Sequence, residues 1–345
     1  MKIMERKLAS VQRVLALHPI ENADAIELAQ INGWQCVVKK GEFIAGSLGV
    51  FFEIDAIPPG LPQLAFLWTS RHADGPQPRP ENFRIKTMRL RGALSQGLLM
   101  PLGQFTLPEN LSEGEDLTTT LSVGKWEPPV PSGMGDFRGP FPPLVRKTDE
   151  MRIQSIPGVL DELRGLPYVI TLKCDGTSAT YCIDPRTDEF HACGRNQSIT
   201  EGANHYWNIA KKYEIEAALR KVPHLAVQGE ICGPGIQKNR LGLKSLEFFA
   251  FNVYDQQQGK YLSHDDARAF LADANLLAVP VIEEGEAFAH TLDSLLALAE
   301  GKYEGTNNER EGIVIRPRVE RNSLLLAGRL SFKAISNRFL LKEGE

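Results

Sequence analysis

Tyr168-Val169-Ile170-Thr171-Leu172-Lys173-Cys174-Asp175-Gly176 is an apolar run that ends on a lysine and a turn. Ser178 to Ile183 follows as a second strand-like run. A lysine at the end of a buried strand is partly desolvated, which lowers its pKa and frees the amine as a nucleophile. Asp175 could position that amine or a metal, and Gly176 would let backbone approach a ligand closely. The plain alternative is a hairpin, because Asp-Gly is a good turn and the lysine before it would then be solvated. A Lys-x-Asp-Gly arises by chance in roughly one of fifteen chains of this length, so its surroundings must decide.

Outward from this stretch the pattern mixes two periods. Leu225 to Ile231, Glu247 to Tyr254 and Gly312 to Arg316 read as further strands. Helical patterns run from about Asn204 to Lys221, Ser263 to Leu276 and Leu292 to Glu300, with Ser263 and Asp266 marking a helix start. Strands outnumber helices without a clean βαβ alternation, which predicts an α+β class with antiparallel sheets and flanking helices. Toward the N-terminus, Trp34 to Val38 and Val50 to Ile54 are short strands bounded by Asn32-Gly33, Lys40-Gly41 and Pro58-Pro59-Gly60. No long helical period appears there, and a small β-barrel is expected. Between the two parts, Ser122 to Pro143 holds Pro128, Pro129, Pro131, Pro140, Pro142 and Pro143 with four glycines among them. Neither a helix nor a central strand survives such a composition. The expected division is therefore 1–123 for the barrel, 124–147 for a linker and 148–345 for the mixed domain.

Composition sets the outer bounds. The 345 residues suit two or three domains of ~150 residues, each able to bury a core. Apolar residues at 42% and charged residues at 24% exclude a largely disordered chain. No apolar run approaches the ~18 residues of a membrane span, so no membrane is expected as a partner. Met1 to Ser10 is charged and lacks the apolar centre of a secretory signal. Cys36, Cys174, Cys182, Cys193 and Cys232 are odd in number and scattered, with no Cys-x-x-Cys pair. They fit neither a disulfide framework nor a structural zinc site, and a cytoplasmic location is the simplest reading.

Familiar nucleotide and hydrolase signatures are missing. There is no phosphate loop of the Gly-x-x-x-x-Gly-Lys-Ser/Thr type, no Gly-x-Ser-x-Gly and no His-Glu-x-x-His. Gly233-Pro234-Gly235 begins a dinucleotide fingerprint that Lys238 breaks. Instead, four segments follow Lys173 in order. His191-Ala192-Cys193-Gly194-Arg195-Asn196 ends a strand on an arginine. Val227-Gln228-Gly229-Glu230-Ile231-Cys232-Gly233-Pro234-Gly235-Ile236-Gln237-Lys238-Asn239 buries a glutamate, which needs a partner. Phe248-Phe249-Ala250-Phe251-Asn252-Val253-Tyr254-Asp255 is a strand that core packing alone would explain. Glu311-Gly312-Ile313-Val314-Ile315-Arg316-Pro317 opens with an acid, and Phe332-Lys333-Ala334-Ile335 adds a late lysine.

Taken together, this ordered set resembles the covalent nucleotidyltransferase superfamily of ATP-dependent RNA and DNA ligases and RNA capping enzymes. It is most similar to RNA ligases, and Gly229 to Asn239 resembles the corresponding segment of the phage T4 RNA ligase 2 group. His18-Pro19, Asn22-Ala23-Asp24, Gly33-Trp34, Lys40-Gly41-Glu42-Phe43, Phe52-Glu53-Ile54-Asp55 and Arg84 to Gly97 resemble the N-terminal OB-fold module of Deinococcus-type RNA ligases. The resemblance implies an OB-fold barrel followed by an ATP-grasp-like, DNA-ligase-like adenylation domain. The chain ends soon after the last motif, so the C-terminal auxiliary domain of the phage enzymes is expected to be lacking.

The resemblance also implies roles. Lys173 would attack the α-phosphorus of ATP, expel pyrophosphate and carry AMP. The AMP would pass to an RNA 5′-phosphate, and a 3′-hydroxyl would then displace it to seal the strand. Asp175 and Lys333 would join Lys173 in catalysis, with Lys333 neutralising the α-phosphate. Arg195 would contact the AMP ribose or phosphate, and Phe251 would stack on adenine. Glu230 and Glu311 would orient the nucleotide or hold hydrated Mg²⁺ or Mn²⁺. Leu172 stands where the phage group has Glu, so its side chain is not expected to recognise adenine, though its backbone carbonyl could still serve, with Gly176 nearby. The last motif is Lys-x-Lys in the phage group, but Ile335 fills the second place here; that phosphate contact is either missing or supplied elsewhere, with Arg329 and Arg338 the candidates. RNA is the expected partner of a monomer, as a nicked duplex or as ends, with DNA ligation the near alternative. A non-catalytic RNA-binding protein on a retired scaffold is the alternative from another class.

One charged stretch supports a nucleic-acid partner on its own terms. Arg79 to Gly92 carries Arg79, Arg84, Lys86, Arg89 and Arg91 against Glu81, on a chain of net charge −4. A strand would put Arg84, Lys86 and Met88 on one face, and basic faces of OB folds track nucleic-acid backbones. Arg84, Lys86, Arg89 and Arg91 are thus the candidate RNA contacts, against the plain alternative of a solvated face.

Overall fold

The computed structural model describes residues 6–70, 75–127 and 133–344. The signal-free reading of Met1 to Glu5, and Pro128, Pro129 and Pro131 of the Pro/Gly segment, lie outside the described residues. The chain forms two compact units. Of the described residues, one holds those from 6 to 127 together with Gln154–Pro157 and 340–344; the other holds 133–153 and Gly158–Phe339.

In the first unit, a five-stranded antiparallel sheet runs in the order Trp34–Lys39, Ile26–Ile31, Ala9–Pro19, Leu48–Phe52, Leu98–Pro101. The strand Ala93–Gln96 lies against the Trp34–Lys39 edge, where Val37 N donates to Ser95 Oγ at 3.0 Å and Gln35 Nε2 to Leu94 O at 3.0 Å. Val11, Val14, Trp34, Val50 and Phe52 fill the interior. Trp34 is therefore a core residue here, 2% exposed.

The second unit stacks two sheets. The larger runs Phe137–Pro140, Gln197–Ile199, Glu189–Cys193, Thr177–Asp184, Leu225–Cys232, Glu247–Asp255, Lys260–Tyr261, antiparallel throughout. The smaller runs Met151–Arg152, Phe332–Ile335, Gly312–Pro317, Tyr168–Lys173, Val281–Gly285, with one parallel pair at its edge. Helices His205–Lys212 and Ile215–Arg220 cover the outer face of the larger sheet, burying Tyr206, Trp207, Ile209 and Leu219 against Tyr181, Phe190 and Phe248. The class is α+β, as the strand-rich pattern predicts.

Three local expectations need correction. The single helix expected from Asn204 to Lys221 is two, because Glu214 adopts a left-handed backbone (φ 50°) between them. The Pro/Gly segment, expected as an extended linker or a wrapping loop, contributes two short strands. Gly124–Lys125 pairs with Ala56–Ile57 in the first unit, and Phe137–Pro140 pairs with Gln197–Ile199 at a sheet edge, where a sheet tolerates proline. The hairpin reading of Lys173 to Gly176 also fails, since Tyr168–Lys173 belongs to the smaller sheet and Thr177–Asp184 to the larger. The turn crosses between sheets, and the two inner faces meet around it.

Candidate active site

Register explains why residues far apart in sequence converge. Paired residues on antiparallel strands project from the same face. Lys173 pairs with Gly312, Thr171 with Val314, and Val314 with Lys333, so Lys173 and Lys333 share the inner face of the smaller sheet. On the larger sheet Glu230 pairs with Ser178 and Phe249, which brings its carboxylate to the facing surface. Phe251 is the extra residue of a bulge between the Gly229–Ala250 and Gln228–Asn252 pairs. It lines a cavity between the sheets with Val169, Thr171, Asn252 and Arg316.

Gly176 has a different use from the one expected. A Cβ there would collide with the Ile231 carbonyl and lie 2.7 Å from Glu230 Cγ, so what it admits is the neighbouring strand. Gly312 likewise lies against the Ala334 carbonyl and leaves Ile335 Cα 3.0 Å from any Cβ. Both glycines draw the acidic residues beside Lys173.

Lys173 Nζ stands 2.7 Å from Glu311 Oε1. Burial taken alone lowers its pKa, as the sequence suggests, but Glu311, Glu230 and Asp175 together outweigh burial and raise it. The resting amine is therefore protonated, which corrects the expectation of a free amine. Glu230 is pushed up to about 8 by burial and by the negative charges of Glu311 and Asp175, against the pull of Lys173. Asp175 forms a buried ion pair with Arg240, and the Arg240 guanidinium lies over Phe339. Leu172 packs with Cys174, Cys232, Phe249 and Phe251, and its amide donates to Pro280 O at 2.9 Å.

The two cations expected to meet phosphate share one carboxylate. Arg195 donates to Asp149 Oδ2 at 2.7 Å and Lys333 to Asp149 Oδ1 at 3.3 Å. Arg152 pairs beside Lys333 on the parallel edge strand. Burial, with Lys173 and Arg152 close by, brings the Lys333 amine down to about 8 against the pull of Asp149. Ile335 is buried, and neither expected substitute for a second lysine sits in this group. Arg329 pairs with Glu320 and donates to Asn252 at 2.7 Å, while Arg338 is exposed and 3.8 Å from Glu300.

Four partners escaped the sequence reading: Asp149, Arg152, Arg240 and Tyr303. The charge-dense run Lys147 to Arg152 was the available signal for the first two, because it opens the mixed domain. Glu150 of the same run binds Arg316 at 3.0 Å, and Arg316 donates to the Phe251 carbonyl at 3.2 Å. Burial would raise the Glu150 pKa, but Arg316, Lys333 and Arg329 hold it below the usual range.

No group of three or more His, Cys, Asp or Glu side chains is arranged as a complete metal site among the described residues. The donor set still suits a hydrated divalent cation. Glu230 and Glu311 are hard oxygen donors with Asp175 close by, and Mg²⁺ takes one or two carboxylates while keeping waters and substrate phosphates. Burial first, and then the negative charges of Glu311 and Asp175, raise the Glu230 pKa, and such a cation would relieve that charge.

In the first unit, Arg84 is built into the fold. It lies 3.4 Å from Asp55 and its guanidinium stacks 3.4 Å from the Trp126 ring centroid. Ile85 and Thr87 point inward, and Lys86, Met88, Arg89 and Leu90 are exposed. Arg91, in a left-handed turn conformation (φ 49°), forms the tip of the hairpin Thr87–Leu90 and Ala93–Gln96. Arg89 donates to the Gly92 carbonyl at 3.0 Å.

Comparison with known proteins agrees with this geometry. A family model described as an OB-fold domain matches residues 8–102, and one described as RNA ligase matches residues 166–335. No curated protein shows a matching sequence. Among solved structures, Naegleria gruberi RNA ligase with PPi is 34% identical at a TM-score of 0.86, covering 99% of each chain. A mutant of that enzyme with AMP and Mn is 35% identical at 0.86, again over 99% of each chain. Another mutant, with ATP and Mn, is 35% identical at 0.86, over 98% of this chain and 99% of that one. The fold and site define a ligase with an N-terminal OB-fold. The chain belongs to the RNA ligase family. That decides for an RNA-joining enzyme over DNA ligation or a retired scaffold.

Proposed function

We propose that this chain seals RNA 3′-hydroxyl and 5′-phosphate ends with ATP, and that Lys173 is the residue that carries AMP. The observation that carries the assignment is the Lys173 amine paired with Glu311 at the point where two sheets meet. Facing it are Glu230, Asp175 and the Arg195–Asp149–Lys333 bridge. ATP, AMP, PPi and Mn, which the Naegleria gruberi enzyme binds, are the species such a site would meet.

Lys173 must first lose its proton, and Glu311 is placed to take it. The amine then bonds to the α-phosphorus of ATP as the bond to pyrophosphate breaks and pyrophosphate leaves. An oxygen of an RNA 5′-phosphate next attacks the same phosphorus; the P–N bond breaks and the amine regains a proton. A 3′-hydroxyl finally attacks the 5′-phosphate, loses its proton and expels AMP. Lys333 and Arg195 would neutralise charge on the α-phosphate, replacing Asp149 as their anionic partner. With the proton passed on, Glu230 and Glu311 would hold Mg²⁺ or Mn²⁺, which supplies charge neutralisation at the phosphates. Phe251 would offer its ring to the base.

Lys86, Arg89 and Arg91 are the cations proposed to track RNA, with Met88 and Leu90 beside them. The five cysteines are free and buried, as a reducing cytoplasm leaves them, and the protein is proposed to act there as a monomer.

The test is incubation with Mg²⁺ and α-labelled ATP, then denaturation. Acid-labile label on the protein, absent from Lys173→Ala, is expected; label retained by Lys173→Ala overturns the assignment. Reversing Lys86, Arg89 and Arg91 to Glu is expected to leave this label intact and to impair sealing.

A further inference from the structure

We infer that Tyr303 is a positioning residue for lysyl-AMP formation, its hydroxyl fixing the backbone of the nucleophile turn against that of the Glu311 turn. The inference rests on the ligase reading above and goes beyond it to a side chain whose hydroxyl meets the site through backbone groups.

The strands Tyr168–Lys173 and Gly312–Pro317 run antiparallel, and their ladder ends at the Lys173–Gly312 pair. The next residues on each side, Cys174 and Asp175 on one strand and Glu311 on the other, lie past the last rung. Tyr303, 3% exposed, fills that place. Its hydroxyl donates to the Lys173 carbonyl at 3.1 Å and accepts from the Asp175 amide at 3.0 Å and the Glu311 amide at 3.1 Å. One donor and two acceptor directions are what a phenol offers, and all are used. Three backbone groups at the end of the ladder thus converge on one atom.

These three groups belong to residues whose side chains do the chemistry. The Glu311 carbonyl is already held, since it accepts from the Ser336 amide at 2.9 Å. The hydroxyl adds the second tether, so the Glu311 side chain is aimed from both sides of its peptide. On the other strand it holds the residues on either side of Cys174, and so sets where the Lys173 amine points. The loop carrying Tyr303 is anchored separately: Arg310 donates to the Leu298, Ala299 and Glu300 carbonyls at the end of the helix Leu292–Ala299.

Tyr303→Phe keeps the ring and removes the bridge. Single-turnover lysyl-AMP formation is measured against ATP concentration, with the thermal midpoint alongside. The rate at saturating ATP is expected to fall about 10- to 100-fold, the cost of misplacing a reacting group by ~1 Å. Half-saturating ATP is expected to stay within about twofold, since no nucleotide contact is lost. Sealing of pre-adenylylated RNA, where lysine is not the nucleophile, is expected to stay within about threefold. Arg310→Met loosens the same loop without touching the hydroxyl; a lower midpoint with a near-normal rate is expected.

An unchanged rate at saturating ATP in Tyr303→Phe overturns the inference. So does an equal rate loss in Arg310→Met, which would mean that loop stability alone matters. Should the phenylalanine chain not fold, Tyr303→His replaces it: its ring can donate to the Lys173 carbonyl but cannot also accept from both amides. A wild-type rate in that chain overturns the inference equally. Failure of the wild-type chain to take label at all would sink the ligase reading itself, a distinct result.

Discussion

The Lys173 amine and the Glu311 carboxylate stand 2.7 Å apart, so the nucleophile at rest is one half of an ion pair. The consequence is a division of labour. Burial makes the amine reactive once neutral, and the carboxylate keeps it protonated until substrate arrives.

Glu311→Gln keeps the shape and removes the charge. The amine would be less basic, but the group placed to take its proton would be gone. Lysyl-AMP formation is expected to fall by about 100-fold or more, the scale for loss of one preorganised polar group. Single-turnover labelling checks this, and a wild-type rate would show that the carboxylate charge is dispensable.

Lys333 predicts a pH dependence. In the nucleotide-free chain its amine sits at about 8, lowered by burial against the pull of Asp149. Phosphate binds the protonated amine. ATP affinity should therefore be flat below pH 8 and weaken as pH rises through it, by up to about tenfold per pH unit. Lys333→Arg stays charged throughout and should flatten the curve. Titration of ATP binding from pH 7 to 9.5 decides; parallel curves would remove Lys333 from phosphate binding.

Asp149 holds Arg195 and Lys333 together. If ATP phosphate must take its place, Asp149→Asn should tighten ATP binding roughly three- to tenfold, the ~1 kcal/mol of a partly exposed ion pair. Calorimetric titration at pH 7 measures it. Weaker binding would show that the carboxylate organises the cations instead of competing with the nucleotide.

Asp175 and Arg240 are mutually dependent, each about nine-tenths buried at the side chain. Arg240→Met leaves an uncompensated buried carboxylate and should cost about 3–5 kcal/mol of stability. Adding Asp175→Asn should recover part of that loss. Denaturant unfolding of the two chains tests the coupling, and equal stability of the single and double variants would refute it.

Much of this architecture was legible from local pattern. The run Tyr168 to Leu172 is a strand because five apolar or β-branched residues precede a turn, and it forms that strand with one residue added. Ser263 caps its helix by accepting from the Asp266 amide, as the spacing predicts. Arg84 shows where such reading stops. Alternation in sequence put it on a basic face, but Asp55 and Trp126, residues distant in sequence, hold it in the fold.

The sequence by itself determined which chemistry was available: a lysine after a buried strand, followed in order by Arg195, Glu230, Glu311 and Lys333. Periodicity and residue type are local properties, and they survive without coordinates. Only the tertiary structure decided the charge on Lys173 and the company its neighbours keep. Asp149 reaches Lys333 across 184 positions and Tyr303 reaches Lys173 across 130. Those contacts exist because strand pairing and the stacking of two sheets bring the residues together. Burial and charge then act over a few ångströms of space, and no local pattern along the chain encodes that proximity.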